Sequence, residues 1–202
     1  GSSFELFGAA KRDLDPENAS NEVISFDTTN PSAIAGVVRE LGNRVKVHML
    51  DNQVEVKYHY VGRSCGGGST RFQLGIDGNG DGKFNQFPGG PDQNAFGYLG
   101  DKPFGGGCLA NQWIFEDMTN GVPKWDLSQF GGPMTTPWDA METFFNTAFP
   151  NHQVLNVVLV DDSGSFVATD RGCAYFDLVS AGSRTLTRHA DAGGDGKEPN
   201  NC

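Results

Sequence analysis

Apolar and polar residues alternate along much of the chain, which is the pattern of half-buried β-strands. The alternation is clearest over residues 43–61, where the dipeptide Asp51-Asn52 interrupts it. Because aspartate and asparagine suit a tight turn, this segment predicts a β-hairpin with His48 across from Glu55. The outer face of this hairpin would be polar and solvated.

Other apolar segments predict further strands, at residues 22–26, 71–77, 112–115, 152–162, 173–182 and 184–188. Phe72, Leu74 and Ile76 are expected to face the core of the protein. Residues 152–162 are apolar at both odd and even positions, which predicts a central strand that is covered on both faces.

Two segments have helical character. Thr136 as N-cap, Pro137 at the first helical position and Asp139 in an acidic capping box predict a helix that ends before Pro150. Residues 32–41 are a second helical candidate.

Composition agrees with a mainly β protein, because 28 glycines and 10 prolines exceed what a helical bundle tolerates. We therefore predict a two-sheet antiparallel β-sandwich with one or two short helices. The chain of 202 residues is the size of one domain, so residues 1–202 are expected to form a single sandwich. Residues 65–108 are expected to form a long glycine-rich insertion, which scattered aromatic residues such as Phe87 and Phe104 would hold down.

The chain is acidic, with 15 Lys+Arg against 25 Asp+Glu, a net charge of −10 and a pI near 4.7. This charge repels phosphate backbones and anionic membranes, so no nucleic-acid partner is expected. No run of apolar residues is long enough to insert into a membrane.

The four cysteines, Cys65, Cys108, Cys173 and Cys202, contain no CxxC pair. Disulfides are favoured over four reduced, buried thiols, and three pairings are possible. We favour Cys65–Cys108 and Cys173–Cys202, because each pair closes a local segment and the second ties down residues 189–202. Disulfides would place the protein outside the cell or on its surface.

Alternating oxygen-bearing residues follow the predicted strand 71–77. Asp77, Asn79 and Asp81 stand at positions 1, 3 and 5 of an EF-hand-like loop, and Gly82 stands at position 6. The resemblance to the calcium loops of dockerins and thrombospondin repeats covers residues 77–85. It implies that the ligands of a structural Ca²⁺ include the Lys83 carbonyl and Asn85.

Position 12 of this loop is Pro88, so a distant carboxylate would complete the calcium site. Asp92 is the first candidate, and Asp101, Glu116 and Asp117 are others. Mg²⁺ and Zn²⁺ fit this loop less well. The alternative is a simple turn in which the aspartates cap backbone amides.

Aromatic residues are concentrated after residue 98. Trp125 lies in a Pro/Gly-bounded loop, and with Trp113 and Tyr98 it is a candidate to stack on a ligand, whereas Trp138 is expected to be buried. No catalytic motif is present. Glu116 and Asp117 with Asp126 or Asp139 are the carboxylates that a hydrolase would use.

The late segment around Phe176, Asp177 and Val179 is similar to the closing strands of jelly-roll carbohydrate-binding modules. This resemblance implies non-catalytic binding of a glycan or another extracellular component, often beside a structural calcium. One alternative is a self-associating subunit of a filament, surface layer or adhesin, in which the apolar start at residues 4–10 pairs with a neighbouring copy. The other alternative is a hydrolase.

Overall fold

The computed structural model describes residues 3–30, 32–42, 44–102, 104–162, 172–187 and 193–194. Within these ranges the chain forms thirteen strands and one α-helix. The elements are β1 (Phe4–Gly8), β2 (Ala10–Asp15), β3 (Asn18–Asp27), β4 (Ala35–Glu40), β5 (Val54–Val61), β6 (Arg71–Asp77), β7 (Gln93–Tyr98), β8 (Ile114–Asp117), β9 (Trp125–Asp126), α1 (Trp138–Ala148), β10 (Gln153–Asp161), β11 (Cys173–Ala181), β12 (Arg184–Leu186) and β13 (Gly193–Gly194).

The strands form two sheets, which confirms the predicted sandwich. Sheet A has the order β13-β1-β4-β10-β6-β7-β9, and sheet B has the order β2-β3-β11-β5-β8 with β12 paired to β11. All pairings are antiparallel except that of β1 with β13. The predicted inward-facing residues of β6, Phe72, Leu74 and Ile76, are fully buried.

The predicted hairpin over residues 43–61 is wrong in its first half. Only β5 is a strand, and both of its edges are taken, by β11 and by β8. Val47–Leu50 forms a 3₁₀ helix that buries Val47 and Leu50, three residues apart, and leaves His48 exposed. Instead, His152, which follows α1, holds this segment, since the Val47 amide donates to His152 Nε2. His48 therefore does not lie across from Glu55.

The candidate helix at residues 32–41 is also wrong, because β4 fills the place between β1 and β10 in sheet A. The Phe7 ring lies against Gly36 so closely that a Cβ there would be 2.1 Å from the Phe7 ring. Burial between two strands thus outweighs the local helical preference.

The helix α1 begins one residue later than predicted. Pro137 is the N-cap and has no side-chain cap, while Thr136 is held by backbone bonds to Trp125. The buried face of α1 contains Trp138, as predicted, with Met141 and Phe145.

The insertion between Cys65 and Cys108 carries two neighbouring strands of sheet A, β6 and β7, so it is part of the sandwich. The predicted disulfide Cys65–Cys108 is present. Cys173 is disulfide-bonded too, while its predicted partner Cys202 and the tail 189–202, apart from β13, lie outside the described residues. A disulfide is typical of proteins that fold in an oxidising compartment.

The apolar start of the chain belongs to its own sheet. Phe4 and Leu6 of β1 are buried, and β1 pairs with β4. Residues 4–8 are therefore paired within this chain.

Candidate functional site

Asp77 ends β6 and is fully buried. Its Oδ1 accepts a hydrogen bond from the Gly80 amide, and its Oδ2 accepts one from the Gly82 amide, each at 2.7 Å. Both glycines have left-handed backbone angles, φ 79° and 81°, which glycine adopts without strain. The loop therefore wraps around the Asp77 carboxylate.

Asp92 closes the same loop from the far side, just before β7. Its carboxylate accepts from the Gly78 amide at 3.1 Å and from the Asn85 amide at 2.9 Å, and the residue is 1% exposed. Of the four distant carboxylates considered from the sequence, Asp92 is the one that bonds to this loop. The β6–β7 hairpin places it there.

In the described part of the chain, no cationic side chain balances the charges of Asp77 and Asp92. No ion pair among the described residues involves either carboxylate. Asn79 and Asp81 lie on the exposed side, where their side-chain oxygens accept from the amides of Asp81 and Lys83. Over the same part of the chain, no three His, Cys, Asp or Glu side chains gather as a metal-holding group.

Directly after this loop, Phe87 projects into solvent, with 56% of its surface exposed. Its ring lies over Gly90, where a Cβ would come within 2.8 Å of the ring. The buried Gln93 side chain holds the turn by donating to the carbonyl oxygens of Phe87 at 2.7 Å and Gly90 at 3.2 Å. The ring is thus exposed on a braced turn, and Phe87 does not anchor the segment to the core, contrary to the prediction.

Two glutamines stand beside this ring. Gln86 donates to the side-chain oxygens of Gln93 and Gln129, and the Gln129 oxygen also accepts from the Asn94 amide. Within the described ranges, the Gln86 side-chain oxygen and the Gln129 side-chain nitrogen have no protein partner. A cleft of about 500 Å³ is lined by these uncharged residues, namely Gln86, Phe87, Pro88, Gly89, Gln93 and Gln129.

The aromatic residues predicted to bind a ligand lie elsewhere. Trp125 is completely buried and packs on Trp138 at 5.3 Å between ring centres, so it offers no surface for stacking. Tyr98 is buried, and its hydroxyl donates to Asp126 at 2.9 Å. Trp113 is half-buried and donates to Asp15. The prediction of Trp125 as an exposed platform is therefore wrong.

The carboxylates considered for hydrolysis are engaged in separate contacts. Glu116 is buried and pairs with Lys124, and Asp117 accepts from the Thr119 amide and hydroxyl at 2.8 Å. Asp126 binds Tyr98 and the Ser128 amide, and Asp139 lies exposed in the first turn of α1.

Among the residues that the structure describes, no helix has the length and apolar character needed to cross a membrane. Comparison of the chain with protein-family models, with curated proteins and with solved structures found no match.

Proposed function

We propose that this protein is a secreted or cell-surface, non-catalytic binding domain that binds neutral carbohydrate at Phe87 and is stabilised by a structural calcium ion. The observation that carries the proposal is the exposed Phe87 ring, held on a braced turn beside two glutamine amides. One atom of each amide, the Gln86 oxygen and the Gln129 nitrogen, has no partner among the described residues.

The chemistry of this cleft suits a sugar. A saccharide has apolar C–H faces that pack on an aromatic ring, and hydroxyl groups that both donate and accept hydrogen bonds. The Gln86 oxygen offers an acceptor, and the Gln129 nitrogen offers a donor. Because the described residues that line the cleft carry no charged side chain, a neutral sugar is favoured over a uronic acid or a phosphosugar.

The calcium proposal rests on two buried carboxylates, Asp77 and Asp92, for which the described ranges contain no cationic partner. Burying unpaired charges is costly, and a divalent cation between Asp77 and Asp92 would remove this cost. Side-chain oxygens of Asn79, Asp81 and Asn85 and the Lys83 carbonyl are the further ligands that the loop offers. Calcium would order the β6–β7 loop and thereby the turn that presents Phe87.

Sugar binding is tested with an array of neutral and acidic glycans, followed by calorimetry on any ligand found. Phe87→Ala is expected to weaken binding about thirtyfold, since removing an aromatic anchor costs about 2 kcal/mol. The matched control is Phe115→Ala, because Phe115 is equally exposed but lies on β8 of sheet B. Equal loss in both variants, or no neutral glycan bound, would contradict the proposal.

Calcium binding is tested separately by thermal unfolding with added EDTA or CaCl₂. At a calcium concentration of about 100 times Kd, the ion should add about 2.7 kcal/mol of stability. The double variant Asp77→Asn/Asp92→Asn should unfold at the same temperature with or without calcium. A wild-type melting temperature that does not respond to EDTA would rule out the calcium site.

A further inference from the structure

Among the residues that the structure describes, the strand β8 is the last of sheet B, with β5 as its neighbour on one side and an open edge on the other. The Met118 amide bonds to the Val54 carbonyl, and Glu116 lies opposite Val56. Because hydrogen-bonding direction alternates along an antiparallel strand, the main-chain groups of Phe115 and Asp117 point away from β5. Such an edge is a template for another strand.

A cleft of about 530 Å³ runs along this edge. Apolar side chains at its rim are unusually exposed: Leu109 by 59%, Phe115 by 56% and Val122 by 41%. A cluster of exposed apolar side chains beside an open edge is typical of a protein-binding surface.

The wall of the cleft is fixed by internal contacts. The Glu116 carboxylate accepts from the Gly100 amide at 3.1–3.2 Å and pairs with Lys124. Burial raises the pKa of Glu116, and the Lys124 ammonium opposes this shift. Lys124 is therefore already committed to Glu116.

The rest of the cleft is negative. Asp101 and Asp117 also line it, so the described lining residues supply three carboxylates and one ammonium group. In addition, Asp117 lies directly across from Glu55 in the β5–β8 pairing. Burial raises the pKa of Glu55, and the Asp117 charge adds to this shift. Like charges opposite each other destabilise a sheet, so a cation supplied from outside would be favourable here.

We infer that the β8 edge binds an extended segment of a partner protein, which adds as a strand and carries a basic side chain next to Asp117. Since Phe115 and Asp117 lie on the same face of β8, the partner would carry an apolar side chain next to Phe115, two residues from the basic one. Main-chain hydrogen bonds would hold the segment, and the basic-x-apolar spacing would select it. This surface is distinct from the Phe87 cleft.

The test uses a ten-residue capped peptide with lysine and leucine alternating on one face and threonine on the other. We expect amide shifts confined to residues 114–118 in NMR spectra of the full chain. Asp117→Lys should weaken binding about tenfold, because a favourable charge contact becomes repulsive. Asp51→Lys, which makes the same charge change at an exposed turn, should leave binding unchanged.

Phe115→Thr is a second variant that should weaken peptide binding, since threonine keeps the strand preference but removes the aromatic side chain. The inference is overturned if a peptide with glutamate in place of lysine binds equally well, or if Asp51→Lys weakens binding as much as Asp117→Lys. It is also overturned if the shifts at residues 114–118 arise from self-association without peptide. Phe87→Ala should not affect peptide binding. Failure of the peptide proposal can therefore be distinguished from failure of the carbohydrate proposal.

Discussion

Two consecutive carboxylates at the end of β10, Asp161 and Asp162, each bind an arginine next to the Cys65 loop. Asp161 forms a fully buried pair with Arg63 at 2.8 Å, and its Oδ2 also accepts from Thr70. Asp162 binds Arg71 through both carboxylate oxygens, at 2.9 and 3.1 Å, and this pair is partly exposed. Four charged side chains thus fasten the disulfide-bonded loop to the centre of sheet A.

Removal of Arg63 should strongly destabilise the protein. In Arg63→Met the Asp161 carboxylate would stay buried without its arginine, and we expect a loss of about 3–5 kcal/mol in the free energy of unfolding. Arg71→Met is the matched control, with an expected loss of about 1 kcal/mol because its pair is partly solvated. Urea unfolding measures both values, and similar losses would contradict this ranking.

The Asp162 pair should make stability sensitive to acid. Burial alone would raise the pKa of Asp162, but the hydrogen bonds from Arg71 and Ser69 together lower it below the ordinary value of 3.8. A carboxyl group with a lowered pKa in the folded state stabilises the fold above its unfolded pKa, and this contribution is lost as pH falls through the folded value.

Wild-type stability should therefore decrease below about pH 4. The decrease between about pH 4 and pH 2 should be smaller in Arg71→Met, because the pKa of Asp162 would be less depressed. Urea midpoints measured across this range compare the two proteins. Parallel curves would contradict a role for Asp162.

At the scale of elements, the predicted and observed strands agree where a strand has a neighbour on each edge and buries its own apolar side chains in the core. The strands β6, β10 and β11 lie within a residue or two of their predicted positions for this reason. The strand β7, Gln93–Tyr98, was missed because its pairing with β6 depends on the loop that Asp77 and Asp92 organise. The segment at Val47–Leu50 alternates like a strand, yet β11 and β8 already occupy both edges of β5, with which it was predicted to pair.

The disulfide should stabilise the whole β6–β7 unit. Cys65 and Cys108 are 43 residues apart in the sequence, and closing a loop of this length contributes about 4 kcal/mol through the entropy of the unfolded chain. The double variant Cys65→Ser/Cys108→Ser should lose about this amount in denaturant unfolding. A loss below about 1 kcal/mol would show that the sheet contacts suffice without the bridge.

At the scale of the whole molecule, buried residues of both sheets and of α1 form one hydrophobic cluster. Trp125 of β9 contacts Trp138 of α1, and Phe26 of β3 contacts Phe176 of β11 at 4.5 Å between ring centres. Because the core is continuous, a local loss of packing should lower the stability of the whole sandwich.

We expect the chain to unfold in a single transition. Tryptophan fluorescence, to which the buried Trp125 and Trp138 contribute along with the half-buried Trp113, should give the same urea midpoint as far-UV circular dichroism, which reports the strands. Two separate midpoints would indicate that the Cys65–Cys108 region or another part unfolds independently.

The sequence by itself determined the properties that depend on residue type and near neighbours: the β-rich class, the negative charge and the loop from Asp77 to Asn85. It left three cysteine pairings possible, and the structure shows that Cys65 is bonded to Cys108. Only the tertiary structure decided which aromatic side chains reach the surface. Trp125 is buried because β9 and α1 close over it, whereas Phe87 is exposed because Gly90 and Gln93 brace its turn outward. Exposure and edge position depend on contacts between residues far apart in the chain, and local patterns do not contain them.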